Sequence, residues 1–170
     1  MLLRAPIGSD RENIKQLYTL VAQTSGGIAR KPSEITDEYI YSSVTQSLNN
    51  GIILIAQQDD QIIGCIQAYR LQPRIFAHML AELTIVVRPS YQSQGLGRML
   101  FTQFLQEVQT KHSDILRVEL KVRESNIIAY EFYKKLGFIH EGLLAKRIDL
   151  DNGKFEAGIQ MAWFNPEYKA

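Results

Sequence analysis

The stretch VVRPSYQSQGLGR, residues 86–98, carries an apolar strand through a polar turn and into a helix. Two glycines one residue apart, Gly95 and Gly97, stand where that helix begins. Glycine lets the backbone approach a ligand closely, and the first N–H groups of a helix have no partner inside it. Since the helix dipole also favours negative charge here, the stretch predicts a phosphate site, to which Arg98 adds a cation. A plain strand-to-helix turn, with glycine chosen for tight packing, is the structural alternative.

Two common phosphate-binding motifs do not fit this stretch. The P-loop needs a glycine, four residues and then Gly-Lys-Ser or Gly-Lys-Thr, and that pattern is absent. The dinucleotide fingerprint needs a third glycine three residues after the second, where this chain has Leu100. A nucleotide-binding domain of either kind is therefore disfavoured.

The same stretch resembles the acetyl-CoA signature of the GNAT N-acetyltransferase superfamily. That signature reads Gln or Arg, two residues, Gly, one residue, and Gly or Ala, and it matches residues 92–97. The family pattern Asn-x-x-Ala-x-x-x-Tyr-x-x-x-Gly-Phe is matched at every position by Asn126, Ala129, Tyr133 and Gly137-Phe138. The two blocks and their connection cover residues 80–142, whereas the N-terminal half agrees with the family only in its order of elements.

The resemblance implies an α/β fold of the GNAT type. We expect a single N-acetyltransferase domain over residues 1–170, with one mixed central sheet, helices on both faces and a V-shaped cleft between the central strands. Hydrophobic periodicity and turn residues predict the element order β-α-α-β-β-β-α-β-α-β-β. The predicted strands are 2–7, 52–56, 62–69, 80–87, 117–123, 138–150 and 155–164. One predicted helix follows an N-cap at Asp10. The three other predicted helices span 37–48, 97–110 and 126–136.

The resemblance also implies an activity, the direct transfer of an acetyl group from acetyl-CoA, as co-substrate, to a primary amine. The tail at residues 146–161 resembles family members that acetylate free amino acids or related small amines. A small-molecule acceptor such as an amino acid is therefore expected. Two alternatives stay open: acetylation of a protein N-terminus or lysine, and CoA binding without catalysis.

The resemblance assigns the cofactor to the backbone of the first block. The pantetheine arm would bond the strand at Ile85, Val86 and Val87, and the N–H group of Val87 would also serve as oxyanion donor. Gln92 begins the signature. The pyrophosphate would rest on the backbone N–H groups of Ser93, Gln94, Gly95, Leu96, Gly97 and Arg98.

In the second block, the resemblance assigns three side chains. Asn126 would bond the cofactor arm or cap its helix, since asparagine is a favoured N-cap. Ala129 would leave room for the cofactor. Tyr133 is the expected general acid, because amine attack on a thioester expels a thiolate that a positioned phenol can protonate. The alternative for Tyr133 is a packed helix tyrosine with a solvated hydroxyl.

Glu82, on the strand before the first block, resembles the family's glutamate base. An amine with a pKa near ~10.4 must lose a proton before it attacks. A shift of one residue along a strand reverses the side chain's face, so a water chain is the alternative base. Thr84 is expected to help order such a water. The loop at residues 26–31 and the cluster Tyr39-Ile40-Tyr41 are candidate walls of the acceptor site, with ordinary packing and solvent exposure as the alternative.

Composition excludes other classes of function. Lys and Arg total 19 against 18 Asp and Glu, a net charge of +1, which gives none of the basic excess expected of a nucleic-acid-binding protein. The lone Cys65 rules out an intrachain disulfide and favours a reducing, cytoplasmic setting. No His or Cys pair has metal-ligand spacing, so no metal is expected. No apolar run is long enough to cross a membrane. A homodimer is compatible with the sequence.

Overall fold

The computed structural model describes residues 1–24 and 26–169. Its strands are β1 (Leu2–Arg4), β2 (Gly51–Gln58), β3 (Gln61–Arg70), β4 (Met79–Val87), β5 (Arg117–Arg123), β6 (Ile139–Asp149) and β7 (Phe155–Phe164). Its α-helices are α1 (Arg11–Ala22), α2 (Asp37–Asn50), α3 (Leu96–Lys111) and α4 (Ile127–Lys135). The predicted order of strands and helices is confirmed, and the fold is a mixed α/β arrangement.

The strands of the described residues form one seven-stranded sheet in the order β1-β2-β3-β4-β5-β7-β6. Every neighbouring pair is antiparallel except β4 and β5, which are parallel. These two central strands pair only at Met79 with Arg117 and at Leu80 with Val118. Beyond Leu80 they diverge, so the expected V-shaped cleft is present at the centre of the sheet.

Helices cover both faces of the sheet, as predicted. On one face, α1 and α2 bury Leu17, Tyr18 and Ile40 together with Val86 of β4. On the other, α3 buries Phe101 and its apolar neighbours against the remaining strands. The amphipathic spacing of these residues explains why each helix buries one stripe.

The N-terminal prediction was wrong in one detail and right in another. The first strand ends at Arg4, before Pro6, instead of running to residue 7. Asp10 occupies the N-cap position of α1, as predicted, but its side chain makes no capping hydrogen bond to the helix. Its carboxylate instead accepts two hydrogen bonds from the Arg4 guanidinium, at 2.6 and 2.9 Å, and one from the N–H group of Ile7 at 2.7 Å. The charged partner lowers the pKa of Asp10 and ties β1 to the start of α1.

None of the helices in residues 1–24 and 26–169 is both long enough and apolar enough to cross a membrane.

Replacing Phe104 by Ala tests the packing of α3 on the sheet. Phe104 is completely buried, and removing such a ring leaves a cavity, so we expect the free energy of unfolding to fall by about 3–5 kcal/mol. Urea denaturation measures the change. The neighbouring Gln103 is exposed, so Gln103→Ala is the matched control, with an expected change within about 0.5 kcal/mol. Equal effects of the two changes would contradict this packing.

Candidate active site

A cleft of about 830 Å³ opens where β4 and β5 separate. Its central part is lined by Ile85 of β4, Leu120 and Val122 of β5, and Tyr133 of α4. The loop before α2 and the end of β6 form its outer walls, and this part includes residues 27–31 and 147–151. The cleft is therefore lined both by the two central strands and by the loops that flank them.

The backbone of β4 is available to a ligand on its cleft side. The N–H group of Arg88 bonds the carbonyl of Ile63 in β3 at 2.8 Å. Because backbone groups alternate along an antiparallel strand, those of Val86 also face β3, whereas those of Ile85 and Val87 face the cleft. The side chain of Val86 is 1% exposed in the core. Of the three strand residues assigned to the cofactor, Ile85 and Val87 thus offer backbone groups, and Val86 does not.

The turn before α3 presents a row of backbone donors. Within the described part of the chain, no backbone carbonyl accepts a hydrogen bond from any N–H group from Ser93 to Arg98. Left-handed backbone at Ser93, φ 60°, and at Gly95, φ 86°, turns the chain into the helix. A Cβ on Gly95 would meet nothing within 4 Å, so glycine is favoured here by the positive φ angle and not by a lack of space. A Cβ on Gly97 would come no closer than 4.0 Å to Ile85 and Val87, which leaves open space beside the donors.

Gln92 and Gln94 brace this turn with their side chains. Nε2 of Gln92 donates to the carbonyl of Val87 at 3.0 Å, and Nε2 of Gln94 donates to the carbonyl of Ser90 at 2.8 Å. Arg98 is exposed, and the first turn of α3 carries no acidic residue. The N-terminal end of α3 is therefore suited to bind an anion, because it combines free N–H donors, the positive end of the helix dipole and the charge of Arg98.

Asn126 fixes the start of α4. Its side-chain oxygen accepts a hydrogen bond from the N–H group of Ala129 at 3.1 Å, so it caps the helix. Both residues line the cleft. At the other end of α4, Gly137 has φ 92° and the N–H group of Phe138 bonds the carbonyl of Tyr133 at 3.1 Å. The cap and this left-handed stop hold the helix, and with it Tyr133, against the cleft.

Tyr133 stands in an aromatic cluster at the wall of the cleft. Its ring centre lies 5.5 Å from those of Phe101 and Phe132 and 6.0 Å from that of Phe138. Burial among these rings raises the pKa of Tyr133 to about 12. The phenol is consequently protonated across the neutral range and can only donate its proton there.

Glu82 lies at a β-bulge, which settles the direction of its side chain. Gln67 of β3 pairs with Thr84, but Tyr69 pairs with Ala81, so β4 has one extra residue at this point. Glu82 itself has φ 52°. Its side chain is 53% exposed and lines the cleft, where Oε1 lies 3.6 Å from Nζ of Lys121. Thr84 lines the cleft too, and its hydroxyl donates to the backbone carbonyl of Glu82 at 3.3 Å.

Part of the wall expected from the sequence lines the cleft, together with residues that sequence reasoning missed. Tyr39 and residues 27–31 line it, whereas Gly26, Ile40 and Tyr41 do not. Ser43, Gln67 and Tyr69 also line it, although their strand and helix patterns carried no signal of a site. Gln67 is 2% exposed and accepts a long hydrogen bond from Ser47 at 3.4 Å. The acceptor end of the cleft is therefore built from polar and aromatic side chains on α2, β3 and β4.

An ion pair bridges the outer walls of the cleft. Nζ of Lys31, before α2, lies 2.6 Å from Oδ1 of Asp151, in the turn between β6 and β7. Both side chains are about 60% exposed, so solvent screens the pair. Its position ties two segments that are 120 residues apart across the mouth of the cleft. In the part of the chain that the structure describes, no group of three His, Cys, Asp or Glu side chains could hold a metal ion.

The family model for acetyltransferases of the GNAT type matches residues 14–138. The chain belongs to the acetyltransferase (GNAT) family. The match includes the diverging strands, the turn before α3 and the whole of α4, whereas the cleft wall at residues 147–151 lies beyond the matched part.

Curated relatives of this GNAT chain act on different acceptors. A ribosomal protein bS18-alanine N-acetyltransferase of Salmonella typhimurium is 41% identical over 54 residues, 32% of the chain and 35% of that protein. The chain thus matches about a third of that relative's length. A spermidine N(1)-acetyltransferase of Escherichia coli is 24% identical over 138 residues, 81% of the chain and 68% of that protein.

The fold of this GNAT chain is shared with a solved acetyl-CoA complex. The structure of yncA from Salmonella typhimurium with its cofactor acetyl-CoA has a TM-score of 0.82 and 16% sequence identity, covering 99% of the chain and 96% of yncA. At this level of identity the likeness concerns the fold alone.

Replacing Gly95 by Ala tests the turn as an anion site. A side chain at a left-handed position costs roughly 1–2 kcal/mol, so the turn should distort and CoA should bind about fivefold to thirtyfold more weakly. Isothermal titration with CoA measures the effect. Gly8 lies in an exposed segment where a Cβ would meet nothing within 4 Å, so Gly8→Ala is the matched control. Unchanged CoA affinity in Gly95→Ala would refute this role for the turn.

The raised pKa of Tyr133 predicts a pH dependence of stability. Between about pH 10 and pH 12 the unfolded chain ionises this phenol and the folded chain does not. The contribution of the protonated phenol of Tyr133 to the free energy of unfolding is therefore complete below pH 10 and is lost as the pH rises to about 12. Relative to Tyr133→Phe, the wild type should lose roughly 2–3 kcal/mol of unfolding free energy over this range.

Urea denaturation at several pH values between 9 and 12 measures that difference. Tyr41 is a 52% exposed phenol on α2, so Tyr41→Phe controls for the loss of a phenol as such and should follow the wild type. Parallel curves for the wild type and Tyr133→Phe would contradict the burial of Tyr133.

Proposed function

We propose that this protein is an acetyl-CoA-dependent N-acetyltransferase, a single domain that acetylates the primary amine of a small molecule. The observation that carries the proposal is one cleft with an anion site at one end and two proton-transfer groups further in. Free backbone donors from Ser93 to Arg98 mark the first. Glu82 and Tyr133, on opposite sides of the opening between β4 and β5, mark the second.

Acetyl-CoA fits this geometry as co-substrate. The pyrophosphate is proposed to accept hydrogen bonds from the row of N–H groups at the start of α3. The pantetheine arm then runs along β4, where the cleft-facing backbone groups of Ile85 and Val87 have no strand partner among the described residues. Ala129 leaves room on the opposite wall, and Asn126 acts through the cap that positions α4. The cofactor supplies the activated acetyl group, and the protein supplies orientation and proton handling.

Leu83 is the better oxyanion donor than Val87. Val87 adjoins the turn that receives the pyrophosphate, and Glu82 lies five residues away, about 16 Å along the strand. The thioester must reach the end where Glu82 and Tyr133 lie. Leu83 lies beside Glu82 at the bulge of β4 and lines the cleft, so its N–H group is the proposed donor. We therefore assign the thioester oxygen to this N–H group.

The proposed reaction begins with deprotonation of the acceptor. Glu82 takes one proton from the ammonium group, directly or through a water held by Thr84, and passes it to solvent. The free amine nitrogen attacks the thioester carbon, and a C–N bond forms. The oxyanion then collapses, the C–S bond breaks, and the second amine proton leaves the nitrogen. The products are the N-acetyl amide and CoA.

Tyr133 assists the departure of sulfur. A thiol has a pKa near ~8.5, whereas that of Tyr133 is raised to about 12 by burial. Complete proton transfer to a free thiolate is thus uphill by about 5 kcal/mol. A hydrogen bond from the phenol to the developing thiolate stabilises it without that cost, and protonation of sulfur completes when the amine proton is released. In the proposed reaction Tyr133 therefore acts as a hydrogen-bond donor and not as a base.

A small acceptor agrees better with the walls than a polypeptide does. The ion pair between Lys31 and Asp151 crosses the mouth of the cleft, and a bound peptide would have to displace it. The relatives named above act on spermidine and on a ribosomal protein, so both acceptor types belong in the test.

The first experiment follows thiol release from acetyl-CoA with a panel of amino acids, polyamines and short peptides. We expect release with one class of small amine. Tyr133→Phe should lower kcat by about 10²–10⁴-fold with CoA affinity nearly unchanged. Glu82→Gln should also lower kcat/KM, and its loss should shrink as the pH rises, because more of the amine is already deprotonated.

The outcomes separate the two roles from the activity. Full activity of Tyr133→Phe would remove Tyr133 from the mechanism and leave the enzyme. A pH-independent loss in Glu82→Gln would argue against a base at that position. Saturable CoA binding without release from any amine would favour a CoA-binding module over a catalyst.

A further inference from the structure

Five cationic side chains line the cleft, and they fall into two groups. Three have carboxylate partners: Lys31 pairs with Asp151 at 2.6 Å, Lys121 with Glu82 at 3.6 Å, and Arg123 with Glu156 at 3.6 Å. Arg30 and Arg147 have no ion-pair partner among the residues that the structure describes. Four carboxylates also line the cleft, those of Glu34, Glu82, Asp149 and Asp151, so its lining carries one cation in excess. Arg30 and Arg147 are the two cations that remain available for an anionic group on the acceptor.

Arg30 is held in place by an aromatic wall. Its guanidinium carbon lies 3.9 Å from the ring centre of Tyr39, a cation–π contact that holds the planar guanidinium in place. Burial raises the pKa of Tyr39 and of Tyr69, while Arg30 lowers both and Glu82 raises both. Arg30 and the proposed base Glu82 thus affect the same two phenols, and both line the cleft.

Arg147 is directed into the cleft by two features of the β6–β7 hairpin. The pairing of β6 with β7 is interrupted between Leu144 and Ile148, and Lys146 has φ 52°. The Arg147 stem then crosses β7 at Gly158, where a Cβ would lie 3.0 Å from its Cδ atom. Both Arg147 and Gly158 line the cleft. A residue with a side chain at position 158 would push Arg147 away.

We propose that the acceptor is a primary amine that also carries a carboxylate, in the manner of an α-amino acid. Its amine faces Glu82 and Tyr133, its carboxylate is bound by the fork of Arg30, and Arg147 supplies a second cation. The inference rests on the proposed acetyltransferase function. It predicts that a polyamine, which has no carboxylate for Arg30 to bind, is the poorer acceptor.

The test compares amino acids with their carboxamides, which keep the amine and remove only the negative charge. The acid should have the higher kcat/KM. Arg30→Met should raise KM for the acid by roughly tenfold to a hundredfold with little change in kcat and leave the carboxamide nearly unaffected. Arg147→Met should act in the same direction, and Arg30→Lys should retain part of the preference. Arg30→Glu should move the preference toward a diamine such as putrescine.

Arg11 provides the matched control. It also stacks on a tyrosine, 4.4 Å from the ring centre of Tyr41, but neither residue lines the cleft. Arg11→Met should leave KM for the acid unchanged. Binding of the acid in the presence of CoA, measured by calorimetry, gives a readout independent of turnover and should weaken in Arg30→Met.

Two results would contradict carboxylate recognition without contradicting the acetyltransferase function. Equal turnover of acids and carboxamides, or a wild-type preference for polyamines or peptides, would leave the acetyltransferase standing and exclude carboxylate recognition. An absence of turnover with every amine, beside normal CoA binding, would instead overturn the proposed function and this inference with it.

Discussion

The separation of β4 from β5 is the constraint on which the site depends. Two parallel strands at the centre of a sheet normally satisfy each other's backbone groups along their length. Here they pair at only two positions, and every later N–H and carbonyl group on that side of β4 must find another partner. Because unpaired backbone groups are costly away from water, the gap must be filled by solvent or by a ligand with amide groups of its own. The opening is thus a candidate binding site, because it leaves backbone groups of β4 without hydrogen-bond partners in the sheet.

The covalent path of the chain connects this opening to its charges. The strand that loses its neighbour runs directly into the turn before α3, so the unpaired strand and the unpaired helix donors form one continuous row. No acidic residue stands in the first turn of α3. At the other end of the cleft, charges of both signs crowd the walls, and most are paired. One end is therefore suited to a fixed anion, and the other to a substrate chosen by the loops.

Local signals carried the predictions that succeeded. The glycines of the turn, the Asn126 cap and the Gly137 stop act within a few residues of themselves, so their spacing alone predicts their geometry. The direction of Glu82 could not be read in this way, because it depends on a bulge in the pairing with β3. Val86 was grouped with its neighbours by proximity in sequence, although the register with Cys65 turns its backbone away from the cleft. Arg147 carried no signal at all, since only the β6–β7 register brings it across Gly158.

The difference between core positions and loop positions explains how one scaffold can keep its chemistry while its acceptor changes. Tyr133 is positioned by Phe101, Phe132 and Phe138, which belong to the core formed by α3 and α4. Altering them would disturb the fold along with the phenol. The side chains proposed to select the acceptor lie instead on a loop before α2 and on an edge strand, where substitutions cost little stability. In the proposed reaction, the hydrogen bond to the departing sulfur thus depends on the rigid core, and the choice of acceptor depends on loop and edge positions that can vary.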